Sequence, residues 1–310
     1  MEFHTPVLSD AVSEFLSVKP EGIYFDGTLG GGGHAEGILK RLTYGRLIAC
    51  DRDAEAIRFA TERLKPYGDK LSIIKNNFKN ALKILASYGI EKIDGALLDL
   101  GISSRQIDDA ERGFSYIRES RLDMRMDRDS ALTAYDVINS YPKDKLADII
   151  FRYGEETFAR RIAARIALKR VVAPIETTAE LNEIIRASMP AAAVAKAGHP
   201  SKKTYQAIRI AVNGELDGLD KAVRDLVSAL NPGGRLVIIS FHSLEDRIIK
   251  NTFRELAAGC ICSKKMPVCT CGHEAEIKIL TPHPITADAE ELAKNPRSAP
   301  AKLRAVQKIE

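Results

Sequence analysis

Over the first 100 residues, short runs that are apolar on both faces alternate with stretches of helical periodicity. Ile23-Tyr24-Phe25-Asp26, Arg46 to Asp51, Leu71-Ser72-Ile73-Ile74 and residues 94–100 (DGALLDL) read as strands. Between them, residues 35–42 (AEGILKRL), 54–64 (AEAIRFATERL) and 80–88 carry the helical repeat. Alternation at this spacing predicts βαβ units and a parallel sheet, and strands apolar on both faces require helices on both sides. The pattern then stops. From about Gln106 to Arg209 no convincing strand occurs. Within 155–170, Phe158, Ile162 and Ile166 recur at i, i+4 and i+8, and Thr178 followed by Glu180 and Leu181 starts a helix near 178–188, ended by Pro190. Residues 205–230 read as helix, Asn231-Pro232-Gly233-Gly234 as a turn and Arg235 to Ser240 as a strand. Residues 244–256 read as a helix with Ser243 as a possible cap, and 276–280 with 302–309 as a closing hairpin. The expectation is an α/β, Rossmann-like sheet built from 1–107 and 208–310, interrupted by an all-helical insertion over 108–207, a plausible size for a small domain.

Composition narrows the classes. Of 310 residues, 45% are hydrophobic and 28% charged, which excludes a mostly disordered chain. No apolar run approaches the roughly 20 residues that span a bilayer, and the start MEFHTPVLSDAVSEF carries acids where a secretion signal is basic, so a cytoplasmic protein is expected. Lys plus Arg is 46 against 42 Asp plus Glu, and the net +4 decides nothing by itself. Its distribution says more. From Arg152 to Arg209 eleven Lys or Arg face five Asp or Glu, a local excess larger than that of the whole chain, and Lys202-Lys203-Thr204-Tyr205 sets an aromatic beside cations. Such a patch suits phosphates and splayed bases, although a solvated helix face is the commoner fate of a charge run.

Asp26-Gly27-Thr28-Leu29-Gly30-Gly31-Gly32-Gly33-His34 follows the first strand and opens the first helix. Consecutive glycines cost chain entropy, so the loop needs positive φ or close backbone approach, and amides exposed at a helix start suit an anion. Asp51 ends the second strand, where an acid accepts both ribose hydroxyls of a nucleoside. Gly30, Gly32 and Ala35 satisfy the weak dinucleotide pattern and leave a nicotinamide oxidoreductase open. S-adenosylmethionine fits better, because Asp26 can meet its cationic amino-acid end, Phe78 after the third strand can lie beside adenine, and Asp99 ends the fourth strand where reacting groups collect.

These residues carry a resemblance. The chain resembles the bacterial 16S rRNA cytosine-N4 methyltransferases through His4-Thr5-Pro6-Val7-Leu8, Asp26-Gly27-Thr28 through His34, Asp51-Arg52-Asp53, and Leu98-Asp99-Leu100-Gly101-Ile102-Ser103-Ser104 with Gln106 and Asp108. The likeness continues in Arg112-Gly113-Phe114-Ser115, Leu122-Asp123-Met124-Arg125-Met126, Tyr153-Gly154-Glu155-Glu156, Val212-Asn213-Gly214-Glu215-Leu216 and Ser240 through Arg247. Gly214 departs from the Ser or other residue that the family more often places there. The resemblance implies S-adenosyl-L-methionine as donor and a methyltransferase sheet with a helical insertion. It implies a cytidine in the decoding region of 16S rRNA, within the small ribosomal subunit, as partner, and it leaves a homodimer open. By position, its cofactor residues fall on Gly32, Gly33, His34, Asp51, Phe78, Asp99 and Gln106.

The N4 amine of cytosine is a poor nucleophile because its lone pair is conjugated, so it must be aligned with the methyl–sulfonium axis and hydrogen-bonded by acceptors. The sulfonium is already activated, and no catalytic metal is called for. Asp99 with Ser103 or Ser104 is the expected acceptor set, and His242 after the fifth strand is a further candidate, with a helix-start contact as its plainer role. A non-catalytic RNA-binding protein would be signalled by loss of Asp99 or the glycines, and both are present. Cys260-x-Cys262 and Cys269-x-Cys271, with His273 beyond, have the look of a structural zinc loop, against a loop of free or redox-labile thiols; Cys50 lies in a strand and reads as core.

Overall fold

Each apolar run of the first 100 residues is a strand: Ile23–Asp26 (β1), Arg46–Asp51 (β2), Leu71–Lys75 (β3) and Ile93–Asp99 (β4). The chain is seen in a computed structural model that describes residues 6–196, 198–260, 262, 271–272 and 274–309, and of Ser104 the backbone alone. With Leu230–Ser240 (β5), Ile277–Ile279 (β6) and Lys302–Lys308 (β7), the strands form one sheet in the order β3-β2-β1-β4-β5-β7-β6. β1 to β5 pair in parallel; β7 runs antiparallel to β5, and β6 antiparallel to β7. The two C-terminal segments thus pair as expected, with β7 inserted between β5 and β6.

Alternate residues of each strand enter different cores. Phe25, Ile48, Leu98 and Ile238 pack in one cluster with Ile84, Leu226 and Phe253, from the helices Ala81–Ser87, Leu219–Ala229 and Ser243–Leu256. Tyr24, Leu47, Leu97 and Val237 pack in the other with Leu16, Ile38 and Leu64, from the helices Ser9–Leu16, Gly33–Leu39 and Ala54–Leu64. Each fully buried Leu or Ile contributes about 1.5–3 kcal/mol, which is why the strands carry no polar face. Among the described residues no helix is long and apolar enough to cross a membrane.

The chain divides into two compact units, Met1–Gly101 with Gly218–Glu310, and Ile102–Asp217. The second has helices and 3-10 turns as its described elements, around a core that includes Leu146, Ile162, Ile166, Leu181, Ile185 and Ile208. Two long helices expected from periodicity are each broken. The stretch 155–170 begins only at Ala159, because Glu155 has φ 49° after the helix Lys143–Gly154, and the Glu156 carboxylate accepts the Phe158 amide at 2.9 Å. The stretch 205–230 is Lys202–Asn213 and Leu219–Ala229, separated where Gly214 takes φ 56° and stops the first helix. Asn231-Pro232-Gly233-Gly234 is not a turn between helix and strand. It lies inside β5 as a bulge, since pairing steps from Ile93↔Leu230 to Gly95↔Arg235, and Pro232 has no N–H to offer the ladder.

Candidate active site

In the sheet, β1 has β2 on one side and β4 on the other, so the direction of winding switches between β1 and β4. In α/β sheets, ligands enter at the carboxyl ends of strands at such a point. Here those ends are all acidic: Asp26 on β1, Asp51 on β2 and Asp99 on β4.

The loop from Asp26 to His34 ties the three together. Asp26 Oδ1 accepts the Thr28 amide at 3.0 Å, and Thr28 Oγ1 accepts the Asp99 amide at 2.6 Å. Asp51 Oδ2 accepts the Gly30 amide at 2.7 Å, and its Oδ1 accepts the Asp53 amide at 2.9 Å. Gly30 and Gly32 take φ 50° and 76°, the left-handed region that a Cβ disfavours. At Gly27 the demand is space: a Cβ would stand 2.4 Å from Leu98 Cδ2 and 2.7 Å from Phe78 Cβ. The glycine run therefore serves backbone geometry, and the Gly30 amide is committed to Asp51 rather than held open for an anion. Arg63 braces the loop, reaching the Gly31 carbonyl at 3.2 Å while gripping Glu36 with Nε and Nη2.

Electrostatics make this a site for a cation. Asp26 is 1% exposed, and burial pushes its carboxyl up to about 7, with the Asp51 charge adding to the rise. Asp99 is pushed up to about 8 by burial, and then by the charges of Asp26 and Glu245. Burial also raises Asp51. His34 Nε2 stands 3.6 Å from Asp99 Oδ2, yet burial drives the imidazole down to about 4, so at neutral pH it brings no positive charge to the acids. Asp26 Oδ2, Asp99 Oδ1 and His34 Nε2 are buried without a hydrogen-bond partner. Buried polar atoms left unsatisfied cost about 1–3 kcal/mol each, a cost a donor-bearing cation removes. An ammonium beside a sulfonium is such a cation, so the residues fit S-adenosylmethionine. The Asp51 carboxylate, which also meets the Arg52 backbone, keeps lone-pair capacity for a ribose hydroxyl beyond its amide contacts.

His242 sits at the end of β5 as the N-cap of Ser243–Leu256: its Nδ1 accepts the Glu245 amide at 3.3 Å, and Nε2 lies 3.3 Å from Glu245 Oε1. The cap is thus His242, not Ser243. Ser103, Ser104 and Gln106 belong to the second unit. Ser103 caps the short helix Ser104–Asp108, its Oγ accepting the Gln106 amide at 3.2 Å while Gln106 Oε1 accepts the Ser103 amide at 3.0 Å. Cys269 and His273 lie outside the described residues; Cys50 is buried in β2 as expected. Two contributors escaped the sequence reading. Thr28 was legible only as part of the Asp-Gly-Thr run. Glu245, 2% exposed, holds the Phe241 amide at 3.0 Å and acts on Asp99 by its charge; its spacing from His242 is the capping-box signal.

Residues 1–309 match the model of the MraW methylase family. The chain belongs to the MraW methylase family. It is 49% identical over 308 residues to the Ribosomal RNA small subunit methyltransferase H of Heliobacterium modesticaldum, covering 99% of this chain and 98% of that protein. It is 51% identical over 311 residues to the proteins of that name from Lachnospira eligens (100% and 99% covered) and Clostridium botulinum strain Kyoto (100% of each). The resemblance read from the motifs is that of the family, and membership in a methylase family displaces the nicotinamide reading of Gly30, Gly32 and Asp51.

Asp51→Ala tests the ribose end. If Asp51 takes the ribose hydroxyls, the variant loses those acceptors and releases the Gly30 amide, and the affinity for S-adenosylmethionine is expected to fall by about 1–3 kcal/mol with the fold retained. Calorimetric titration of the variant checks it, and an unchanged Kd removes Asp51 from the ribose contact.

Proposed function

We propose that this chain transfers a methyl group from S-adenosyl-L-methionine to the exocyclic N4 of a cytidine in the decoding region of 16S rRNA, within the small ribosomal subunit in the cytoplasm. The observation that carries the reading is the pair of carboxylates at the switch point of the sheet, Asp26 buried and Asp99 partly exposed, each with a buried oxygen that has no hydrogen-bond partner. Family membership and the shared name of relatives at about half identity support ribosomal RNA as substrate.

Asp26 and Asp99 hold the cationic amino-acid end, with Gly32, Gly33 and His34 shaping the loop beside it; Asp51 takes the ribose hydroxyls and Phe78 flanks the base. The donor supplies an electrophilic methyl on a leaving thioether. Asp99, whose side chain is 26% exposed although Oδ1 is sealed, accepts a hydrogen bond from the N4 amine, turns its lone pair outward and takes the proton that departs as the N–C bond forms. The Ser103 hydroxyl already accepts the Gln106 amide in its helix cap, and the acceptor role is assigned first to Asp99. His242 and Glu245 hold the start of their helix and position the end of β5.

The second unit offers a basic face. Arg160, Arg161 and Arg165 are exposed on the helix Ala159–Val172, off the Ile162 and Ile166 stripe, which is fully buried. Tyr205 does not join them as a stacking platform. It is 4% exposed with its hydroxyl donated to the Thr178 carbonyl at 3.0 Å, because the apolar ring completes the helical core. Replacing the three arginines by Gln is expected to raise the KM for RNA and flatten its salt dependence by roughly one unit of slope per phosphate released, leaving cofactor affinity unchanged. Gln preserves helix propensity. Methyl transfer to small subunits across a salt series is the measurement; parallel curves with equal KM would leave this face merely solvated.

The function itself is tested by mapping methyl groups on small-subunit rRNA from cells with and without the gene, and by transfer from labelled S-adenosylmethionine in vitro. A single N4-methylcytidine that disappears with the gene is expected. A methyl group on carbon or ribose, or an unchanged map, overturns the proposal.

A further inference from the structure

Between the end of Ser243–Leu256 and the edge strand β6, the chain runs through the 20 residues from Ala257 to Glu276. No described residue from Ala257 to Glu276 is buried. At its ends the Glu276 amide donates to the Leu256 carbonyl at 2.8 Å, the Ile309 amide to the Glu276 carbonyl at 3.0 Å, and Lys308 Nζ to Glu276 Oε2 at 3.0 Å. Yet within this excursion three sulfurs converge. The Sγ atoms of Cys260, Cys262 and Cys271 all lie within 4.8 Å of one another, although Cys271 is eleven residues from Cys260 in the chain.

The distances exclude a disulfide between Cys260 and Cys271 and match the spacing of thiolates on one metal ion. Cys260 Sγ and Cys271 Sγ are 3.7 Å apart. A disulfide needs about 2.05 Å. Thiolates about 2.3 Å from a zinc ion, at the corners of a tetrahedron, stand about 3.8 Å from each other. The Cys262 amide also donates to Cys260 Sγ at 3.4 Å, and an N–H given to sulfur favours the thiolate that a metal requires. None of the described residues here is buried, and a structural metal stabilises chain that a buried apolar core does not.

We propose that Cys260, Cys262 and Cys271 form a structural zinc site that pins this excursion to the outer edge of the sheet. Zinc is taken up as Zn²⁺, the three thiols release their protons, and no electron is transferred. Three sulfurs leave one tetrahedral position for a further donor. The site is remote from the acids of β1, β2 and β4 in the strand order, since β6 is the outermost strand beyond β5 and β7. Its metal therefore serves architecture and not methyl transfer.

The full-length chain, purified without chelator from zinc-supplemented cells, is expected to carry one zinc per chain by inductively coupled plasma mass spectrometry. Cys260→Ser with Cys271→Ser is expected to lower that content at least tenfold. Because the double variant can lose its fold for other reasons, a second measurement uses the wild-type chain only. After removal of metal with a chelator under reducing conditions, cobalt(II) is titrated in. An intense thiolate-to-cobalt charge-transfer band with strong visible d–d absorption, saturating at one equivalent and erased by equimolar zinc, is the expected result. Metal at background level in the purified chain together with no charge-transfer band overturns the site. Zinc content unchanged in the double variant, or iron in its place, overturns it equally.

Discussion

Asp99→Asn is expected to lower kcat for methyl transfer by about 100- to 10,000-fold, the range over which a positioned acid–base group contributes. Asn conserves volume and leaves Thr28 Oγ1 accepting the Asp99 main-chain amide, so the strand end should keep its shape. What disappears is the carboxylate that accepts the amine proton. The pH dependence adds a second readout. With Asp99 held up to about 8, the free enzyme carries it largely protonated at neutral pH, and the accepting form grows as pH rises. For the wild type, kcat/KM should therefore climb between pH 6 and 8.5, and this limb should be lost in the variant. Stability runs the other way. A carboxyl whose folded pKa lies above its unfolded value keeps a proton that the unfolded chain has released, so stability is full below about 4 and falls as pH rises toward 8. Without the donor, the wild-type Tm should fall from pH 6 to pH 8.5, and Asp99→Asn should fall less and be the more stable protein at the higher pH. Binding S-adenosylmethionine opposes this by favouring the charged acids, and calorimetry in buffers of different ionisation enthalpy should register proton release. Equal slopes of Tm against pH in the two proteins would remove Asp99 as a buried acid, whatever its effect on rate.

Arg112→Met is expected to destabilise the second unit by about 3–5 kcal/mol, enough to unfold it near physiological temperature. Arg112 is 2% exposed, donates from Nη2 to the carbonyls of Arg125 at 3.0 Å and Met126 at 2.9 Å, and lies over the Phe114 ring at 5.9 Å. It is a buried clasp on an irregular loop. Met124 in that loop has φ 58°, and the loop is gripped from the other side by Asn213, whose Oδ1 accepts the Met126 amide at 2.7 Å and whose Nδ2 donates to the Met124 carbonyl at 2.8 Å. Met approximates the volume, so the loss isolates the hydrogen bonds and the attraction to Asp123, which arginine neighbours hold below the usual carboxylate range. Loss of the helical signal of this unit ahead of the sheet, followed by hydrogen exchange on denaturation, is the expected signature. A variant that melts with the wild type would make Arg112 a surface-like contributor and return the role of the Arg112-Gly113-Phe114 stretch to direct function.

Periodicity and short-range punctuation determined a great deal. The first five strands, the parallel pairing and the two-sided burial follow from apolar runs at βαβ spacing, because a doubly covered strand admits no polar alternation. The acids Asp26, Asp51 and Asp99 were legible because each ends such a run, and the glycines because four in succession have no other economical use. The resemblance carried by those motifs placed the family. Tertiary structure decided what sequence spacing does not encode. Periodicity runs through Glu155 and Gly214 unchanged, and only the positive φ at each shows that the helices stop there. The tetrapeptide Asn231-Pro232-Gly233-Gly234 has turn composition in any context, and only the partner strand β4 makes it a bulge. Tyr205 beside two lysines reads as surface until the core it fills is seen. The paired cysteine spacing already suggested a common loop, and the structure shows how closely Cys271 Sγ comes to Cys260 Sγ, at 3.7 Å. Above all, the charge state of the site is a property of burial. Asp26 and Asp99 are ordinary carboxylates in the unfolded chain, and it is the sheet, closing over them without a counter-cation, that turns them into acids awaiting a positive ligand.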